Sequence, residues 1–133
     1  MTNYLYEFTI NIYEGDLARL FAQTDWAANR SLDKIHKLLA YTPVCLCVWD
    51  GAQLIGFGRA VTDDVFRALI EDVVVDAPYR GQGIGREIMR RLLERLDHVE
   101  EIVLNCHDDL IPFYESLGFK RTSLTYMNIW KGG

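Results

Sequence analysis

Hydrophobic and polar positions along the chain switch repeatedly between a two-residue period and a helical one, and the switches divide it into strands and helices. Tyr4 to Ile12 is strand-like. Leu17, Leu20 and Phe21 fall at helical spacing behind Asp16, and Leu32, Ile35, Leu38 and Leu39 do so behind Ser31, so Asp16 and Ser31 are the expected N-caps of two helices. Val44 to Trp49 and Leu54 to Val61 read as strands joined through Asp50-Gly51, a dipeptide suited to a tight hairpin. Another strand is expected from Phe66 to Val75. Ile84, Ile88, Leu92, Leu93 and Leu96 then recur on one helical face. A strand at Ile102 to Cys106 follows, with a short helix from Ile111 to Leu117 ended by Gly118 and final strands at Phe119 to Arg121 and Leu124 to Trp130. No repeat, low-complexity run or linker interrupts the alternation, so the expectation is one α/β (α+β) domain over residues 1–133, a mixed sheet with helices on both faces.

The junction between Ile70-Glu71-Asp72-Val73-Val74-Val75 and the third helix is Arg80-Gly81-Gln82-Gly83-Ile84-Gly85. Glycines at 81, 83 and 85 let a ligand approach the backbone without meeting a Cβ, and the opening helical turn offers unpaired N–H groups at the positive end of its dipole. Arg80, Arg86 and Arg90 add positive charge nearby, so a pyrophosphate suits the turn. A P-loop is excluded, since no Gly-Lys precedes a Ser or Thr. A dinucleotide fingerprint fails as well: its third glycine would fall on Arg86 or Ile88. A strand-to-helix turn with no ligand remains the alternative on glycine spacing alone.

With Arg80, Gly83 and Gly85 the chain resembles the GNAT superfamily of acyl-CoA-dependent N-acyltransferases, whose signature is Arg or Gln, two residues, Gly, one residue, then Gly or Ala. The similarity extends to Leu69 through Tyr79 before the turn and to Pro112-Phe113-Tyr114-Glu115-Ser116-Leu117-Gly118-Phe119 after it. The resemblance implies the GNAT fold, a mostly antiparallel twisted sheet of about six to seven strands with about four helices on both faces. It also implies acetyl-CoA as cosubstrate, with the amides of Arg80, Gly81, Gln82, Gly83, Ile84 and Gly85 on the pyrophosphate and the Arg86 side chain beside them. Backbone groups around Val73, Val74 and Val75 would pair with the pantetheine arm. Family members often place an Asn near Asp108 on that arm; an ionised Asp cannot donate, so Asn105 is the alternative donor.

Composition narrows the function. The 133 residues are half hydrophobic and carry a net charge of −5, which disfavours a general nucleic-acid surface and weakly favours cationic substrates. Met1-Thr2-Asn3-Tyr4-Leu5-Tyr6-Glu7 lacks the basic start and apolar run of a signal peptide, and no stretch is long and apolar enough to span a bilayer, so the cytoplasm is the expected compartment. Three cysteines argue against a disulfide framework. Cys45 and Cys47 read as small buried side chains, Cys106 and His107 as solvent-facing or structural, and His36 and His98 as structural; no metal is expected.

The transfer itself needs two proton-handling groups. A primary amine with a pKa near 10 is unprotonated in only about one molecule in a thousand at neutral pH, a cost of roughly 4 kcal/mol unless a base removes the proton. A departing thiolate gains from a nearby donor. Tyr114 matches the position at which the family commonly places that acid. Glu71 and Asp72 interrupt an apolar strand, which costs burial energy unless they face a cavity or a partner. Glu71 is the expected base, directly or through water, and Asp72 the charge that binds the amine; the alternative is a salt bridge to Arg59 or Arg67. On a regular strand the two point to opposite faces, and the resemblance implies a bulge that turns both toward the cleft.

The runs Gly56-Phe57-Gly58-Arg59-Ala60 and Ile70 to Val75 are further similar to small bacterial and plastid members of the family, which include arylalkylamine-type acetyltransferases of plants. On that likeness Trp26, with Phe66 and Tyr126 as more distant candidates, would wall an aromatic or alkyl amine, although each ring also suits core or interface packing. The expected activity is acetyl transfer to a small primary amine by direct attack in a ternary complex. A protein or peptide N-acetyltransferase and a non-catalytic acyl-CoA-binding module are the alternatives, and a homodimer is implied only by the resemblance.

Overall fold

A computed structural model describes residues 3–132; Met1, Thr2 and Gly133, which carry part of the expectations for the two chain ends, lie outside that range. Among the described residues, strands β1 (Leu5–Phe8), β2 (Val44–Asp50), β3 (Gln53–Thr62), β4 (Arg67–Val75) and β5 (Glu101–Val103) form one sheet in the order β1-β2-β3-β4-β5. The first three junctions are antiparallel and β4–β5 is parallel. Helices α1 (Glu14–Phe21) and α2 (Leu32–Tyr41) cover one face, and α3 (Ile84–Arg95) with the short α4 (Ile111–Glu115) covers the other.

Local signals explain most of these elements. Ser31 caps α2 as expected, its Oγ accepting the Lys34 N–H at 3.2 Å. Gly51 turns the β2–β3 hairpin with φ of +58°. α1 starts earlier than expected, with Tyr13 as N-cap and Asp16 inside the first turn, where its charge still favours the positive end of the dipole.

The last two expected strands do not form. From Phe119 onward the chain joins no ladder, and Leu124, Tyr126, Met127, Ile129 and Trp130 are exposed. β5 is shorter than expected and meets β4 over three residue pairs, Arg67–Leu69 with Glu101–Val103. Its other side borders an open groove of about 670 Å³. Lys120, Arg121, Thr122, Leu124 and Tyr126 line that groove together with β5 without forming a ladder to it.

Each face of the sheet has its own core. Val44, Leu46, Val48, Ile55, Ala60, Ala68 and Ile70 pack under Ile84, Ile88, Met89, Leu92 and Leu96 of α3 and the turn that follows it. Cys45, Cys47, Leu54, Phe57 and Val74 pack under Leu17, Leu20, Phe21, Ile35 and Leu39 of α1 and α2. Burial pushes the Cys45 thiol up to about 11 and the Cys47 thiol up to about 12, so both remain uncharged members of that core. Cys106 and His107 are exposed.

α3 comes close to the sheet at a glycine. A Cβ on Gly58 would lie 2.9 Å from Ile88 Cγ2 and 3.2 Å from Leu92 Cδ1. Gly58→Val therefore forces α3 off β3, and overpacking of this kind costs about 1–3 kcal/mol. In urea titrations the variant is expected to unfold at a lower midpoint with an unchanged slope.

Candidate active site

β4 carries one residue more than β3 over the same stretch, because Phe57 faces Val74 whereas Arg59 faces Glu71. The extra residue is absorbed at Asp72, whose φ of +56° is left-handed, a conformation Asp tolerates better than most residues. The bulge changes the parity of the strand. Ala68 and Ile70 belong to the α3 core before it, Val73 and Val75 pack against that core after it, and Val74 joins the opposite core. Glu71, paired across the ladder with Arg59, and Asp72, bonded to the Arg59 side chain, therefore share the α1–α2 face.

The two carboxylates have different surroundings. The Asp72 side chain is fully buried: its Oδ2 accepts from Arg59 Nε at 2.7 Å and Arg30 Nη1 at 2.8 Å, and its Oδ1 from Trp26 Nε1 at 3.2 Å. Burial alone would raise its pKa, but the two guanidiniums override this and hold it below the ordinary aspartate value. The ion pair to Arg59 weighed from sequence thus forms at Asp72, whereas Arg67 pairs with Glu101 at 3.1 Å. Glu71 is half-buried; burial and the neighbouring Asp72 charge raise its pKa against the opposing pull of Arg59 and Arg30. A half-buried carboxylate with a raised pKa suits proton abstraction better than a fully paired one.

At the end of β4 the glycine turn is exposed from Arg80 to Gly83. Gly81 and Gly83 have φ of +81° and +86°, Gly83 is the N-cap of α3, and no side chain caps the helix. The positive side chains expected beside the turn are spent on the protein. Arg80 donates through Nε to the Val75 carbonyl at 2.9 Å and through Nη2 to Gln23 Oε1 at 3.4 Å. Arg86 donates to Ser116 Oγ at 3.0 Å and lies over the Phe113 ring, and Arg90 pairs with Glu87 and Glu94. The Arg80 N–H, expected among the anion donors, is bonded to the Ala77 carbonyl at 3.2 Å, so the backbone N–H groups the turn offers an anion begin at Gly81, while the Arg80 side chain braces the end of β4 and Arg86 ties α3 to α4.

β5 ends at Val103, opposite Leu69, so β4 runs on through Glu71 and Val73–Val75 with no strand paired along that edge. The groove on the other side of β5 is lined by Asn105, Cys106, Asp108, Tyr114 and Tyr126 among others, and by no residue of β4 or of the glycine turn. The Tyr114 ring sits edge-on to Phe113 and Phe119, with centroids 5.1 and 5.9 Å away. Burial, with a smaller contribution from Cys106, raises its pKa, so the phenol keeps its proton at neutral pH. Trp26 is 55% exposed and is tied to β4 through Asp72, whereas Phe66 and Tyr126 are exposed on other segments.

Two sets of residues at the site carry little or no local sequence signal. Arg30 stands in an aperiodic loop, and its bond to Asp72 crosses 42 positions. Asp76, 3% exposed, holds Arg19 at 3.0 Å, Gln23 at 2.9 Å and Gln53 at 3.3 Å, and Gln23 Oε1 in turn accepts the Ala77 N–H at 2.9 Å. This second buried carboxylate fixes the entry to the glycine turn; an Asp closing an apolar strand was its one visible sign. Among the described residues no group of three or more His, Cys, Asp or Glu side chains is arranged to hold a metal, and no helix is long and apolar enough to cross a membrane.

The profile of the Acetyltransferase (GNAT) family matches residues 6–119, and the chain belongs to that family. It is 34% identical over 116 residues to the uncharacterized N-acetyltransferase ycf52 of Porphyra purpurea, an alignment covering 83% of this chain and 65% of that protein. Over 114 residues it is 32% identical to serotonin N-acetyltransferase 2, chloroplastic, of Oryza sativa subsp. japonica, covering 79% of this chain and 55% of that protein. The chain thus spans less than two thirds of the length of these curated relatives. A crystal structure from Deinococcus radiodurans R1 superposes with a TM-score of 0.81 at 28% identity, over 96% of this chain and 93% of that one.

The glycines of the turn separate by backbone conformation. Gly83→Ala places a Cβ in a left-handed residue and is expected to lower stability by about 1–2 kcal/mol. Gly85 has no positive φ, and its Cβ would meet only Val75 Cγ2 at 3.9 Å. Gly85→Ala, inside α3, is expected to raise stability by up to about 1 kcal/mol. Thermal melting of the two variants checks the opposite signs.

Proposed function

We propose that the chain is an acetyl-CoA-dependent N-acetyltransferase that acylates the primary amine of a small molecule by direct attack in a ternary complex. The observation that carries this reading is a β4 edge with no strand partner after Leu69 that leads, through the glycine turn, into an α3 N-terminus with no side-chain cap, in a chain of the GNAT family. Acetyl-CoA supplies an activated acyl group as its thioester. The residues present fit it: the backbone amides of Gly81 to Gly85, in a turn exposed as far as Gly83, for the pyrophosphate, and the strand edge at Val73–Val75 with Asn105 for the pantetheine arm. Asp108 shares the groove with Asn105 and Tyr114.

In this reading Glu71 takes the proton from the amine, directly or through water. Tyr114 donates a proton to the sulfur as the thiolate leaves. Trp26, on the same side of β4 as Glu71, walls the acceptor and favours an aromatic or alkyl amine. The similarity to a rice protein named as a serotonin N-acetyltransferase supports a small amine. The whole chain would act as one domain in the cytoplasm, and a homodimer is its expected assembly.

Thiol release from acetyl-CoA over a panel of arylalkylamines, alkylamines and peptides tests the reading. Turnover on small amines is expected. Turnover on peptides alone would make the chain a protein modifier, and coenzyme binding without turnover on any amine would make it a non-catalytic module.

Two variants test the assigned roles. Tyr114→Phe is expected to lower kcat by about 100-fold or more while acetyl-CoA affinity changes by less than about two-fold; an unchanged rate removes Tyr114 from the acid role. Because the Glu71 pKa is raised, activity should fall on acidification at a pH above the ordinary glutamate value of about 4.3. Glu71→Gln should abolish that limb of the kcat/KM profile and leave only a low rate that follows the fraction of unprotonated amine.

A further inference from the structure

We propose that Asp72 is a positioning residue that ties the loop of residues 22–31 to the β4 bulge and so fixes the acceptor wall formed by Trp26. The inference rests on the reading of this face as the acceptor side, and it gives Asp72 a different part from that of a charge contacting the amine. Three donors from two separate segments converge on its carboxylate: Arg59 from β3, and Arg30 and Trp26 from the loop between α1 and α2. A carboxylate with 0% side-chain exposure and two guanidiniums at 2.7 and 2.8 Å has neither the access nor the unbalanced charge to bind an amine.

The loop has few other ties to the sheet near the tryptophan. Its internal bonds are local, with the Thr24 hydroxyl donating to the Phe21 carbonyl and accepting the Ala27 N–H. Ala27 packs into the α1–α2 core, and Gln23 reaches Asp76 at the start of the loop. Trp26 is more than half exposed, so packing alone does not set its ring; the 3.2 Å bond from Nε1 to Asp72 Oδ1 does. Arg30 lies over the Phe21 ring at 4.9 Å and returns to the same carboxylate, closing the loop from its other end. Arg59 also donates to Thr42 Oγ1 at 3.3 Å, which joins the residue after α2 to the cluster. One side chain at the bulge thereby links the strand that carries Glu71 to the loop that carries the apolar wall.

Asp72→Asn is the suitable change, because Asn accepts the left-handed backbone as readily as Asp while losing the charge. It is made in the full chain alongside Arg30→Gln and Trp26→Phe, which alter partly exposed side chains and keep the test alive should the buried variant not fold. Acrylamide quenching of Trp26 is read without substrate in Trp49→Phe/Trp130→Phe protein, and thiol-release kinetics are read with phenethylamine. Asp72→Asn and Arg30→Gln are both expected to increase quenching. Each should raise the amine KM about ten-fold or more, with the acetyl-CoA KM within about two-fold. Trp26→Phe, which removes the tie to the ring, should also raise the amine KM. Unchanged quenching in Asp72→Asn, or in Arg30→Gln if the former does not fold, overturns the proposal. So does an amine KM that falls in Arg30→Gln, as expected if freeing the carboxylate let it bind the amine. Absence of turnover with any amine would defeat the enzymatic reading alone, since quenching decides the role of Asp72 independently.

Discussion

One surplus residue in β4 sets the arrangement of everything around it. Without the bulge, strict alternation would send Asp72 and Val74 toward α3 and Val73 and Val75 toward α1 and α2, placing a carboxylate in an apolar core. With it, the valines reach the α3 side, and Glu71 and Asp72 emerge side by side on the other face. The left-handed backbone at Asp72 is tolerable because its carboxylate is held by two guanidiniums and an indole. Local strain and a buried charge, each unfavourable alone, are accommodated at the same position.

The second constraint is the early end of β5. A parallel partner that ran the length of β4 would occupy the edge that Val73–Val75 leave unpaired, whereas pairing stops at Leu69. Asp76 and Gln23 hold the start of the turn, Arg80 holds its Val75 carbonyl, and Arg86 fastens α3 to α4. The arginines near the turn thus act as braces, and the field felt by an anion comes from amides whose direction the fold has already fixed.

Features decided within a few residues were legible in the chain. Ser31 as a cap, Gly51 in the hairpin, the helical stripe of α3 and the glycine turn all depend on local conformation or period. Long-range pairing was not. The period of Ile70–Val75 alone puts Glu71 and Asp72 on opposite faces; the bulge followed only from resemblance, because it is a mismatch of length between β4 and β3. Arg30 and Asp76 were missed because their roles depend on partners 42 and 57 positions away. The tail misled for the same reason: Leu124 to Trp130 has the composition of a strand, but it forms no ladder with the open edge of β5.

The shared carboxylate at Asp72 also bears on how such a chain can diverge. Arg30, Arg59 and Asp72 form a unit in which exchanging one member strands the charge of another, so inheritance is expected to keep or replace the three together. Asp25 and Asn29, exposed in the same loop, carry no such obligation. Drift can therefore reshape the rim of the loop while its attachment to the strand stays fixed and the sheet beneath it is left unchanged.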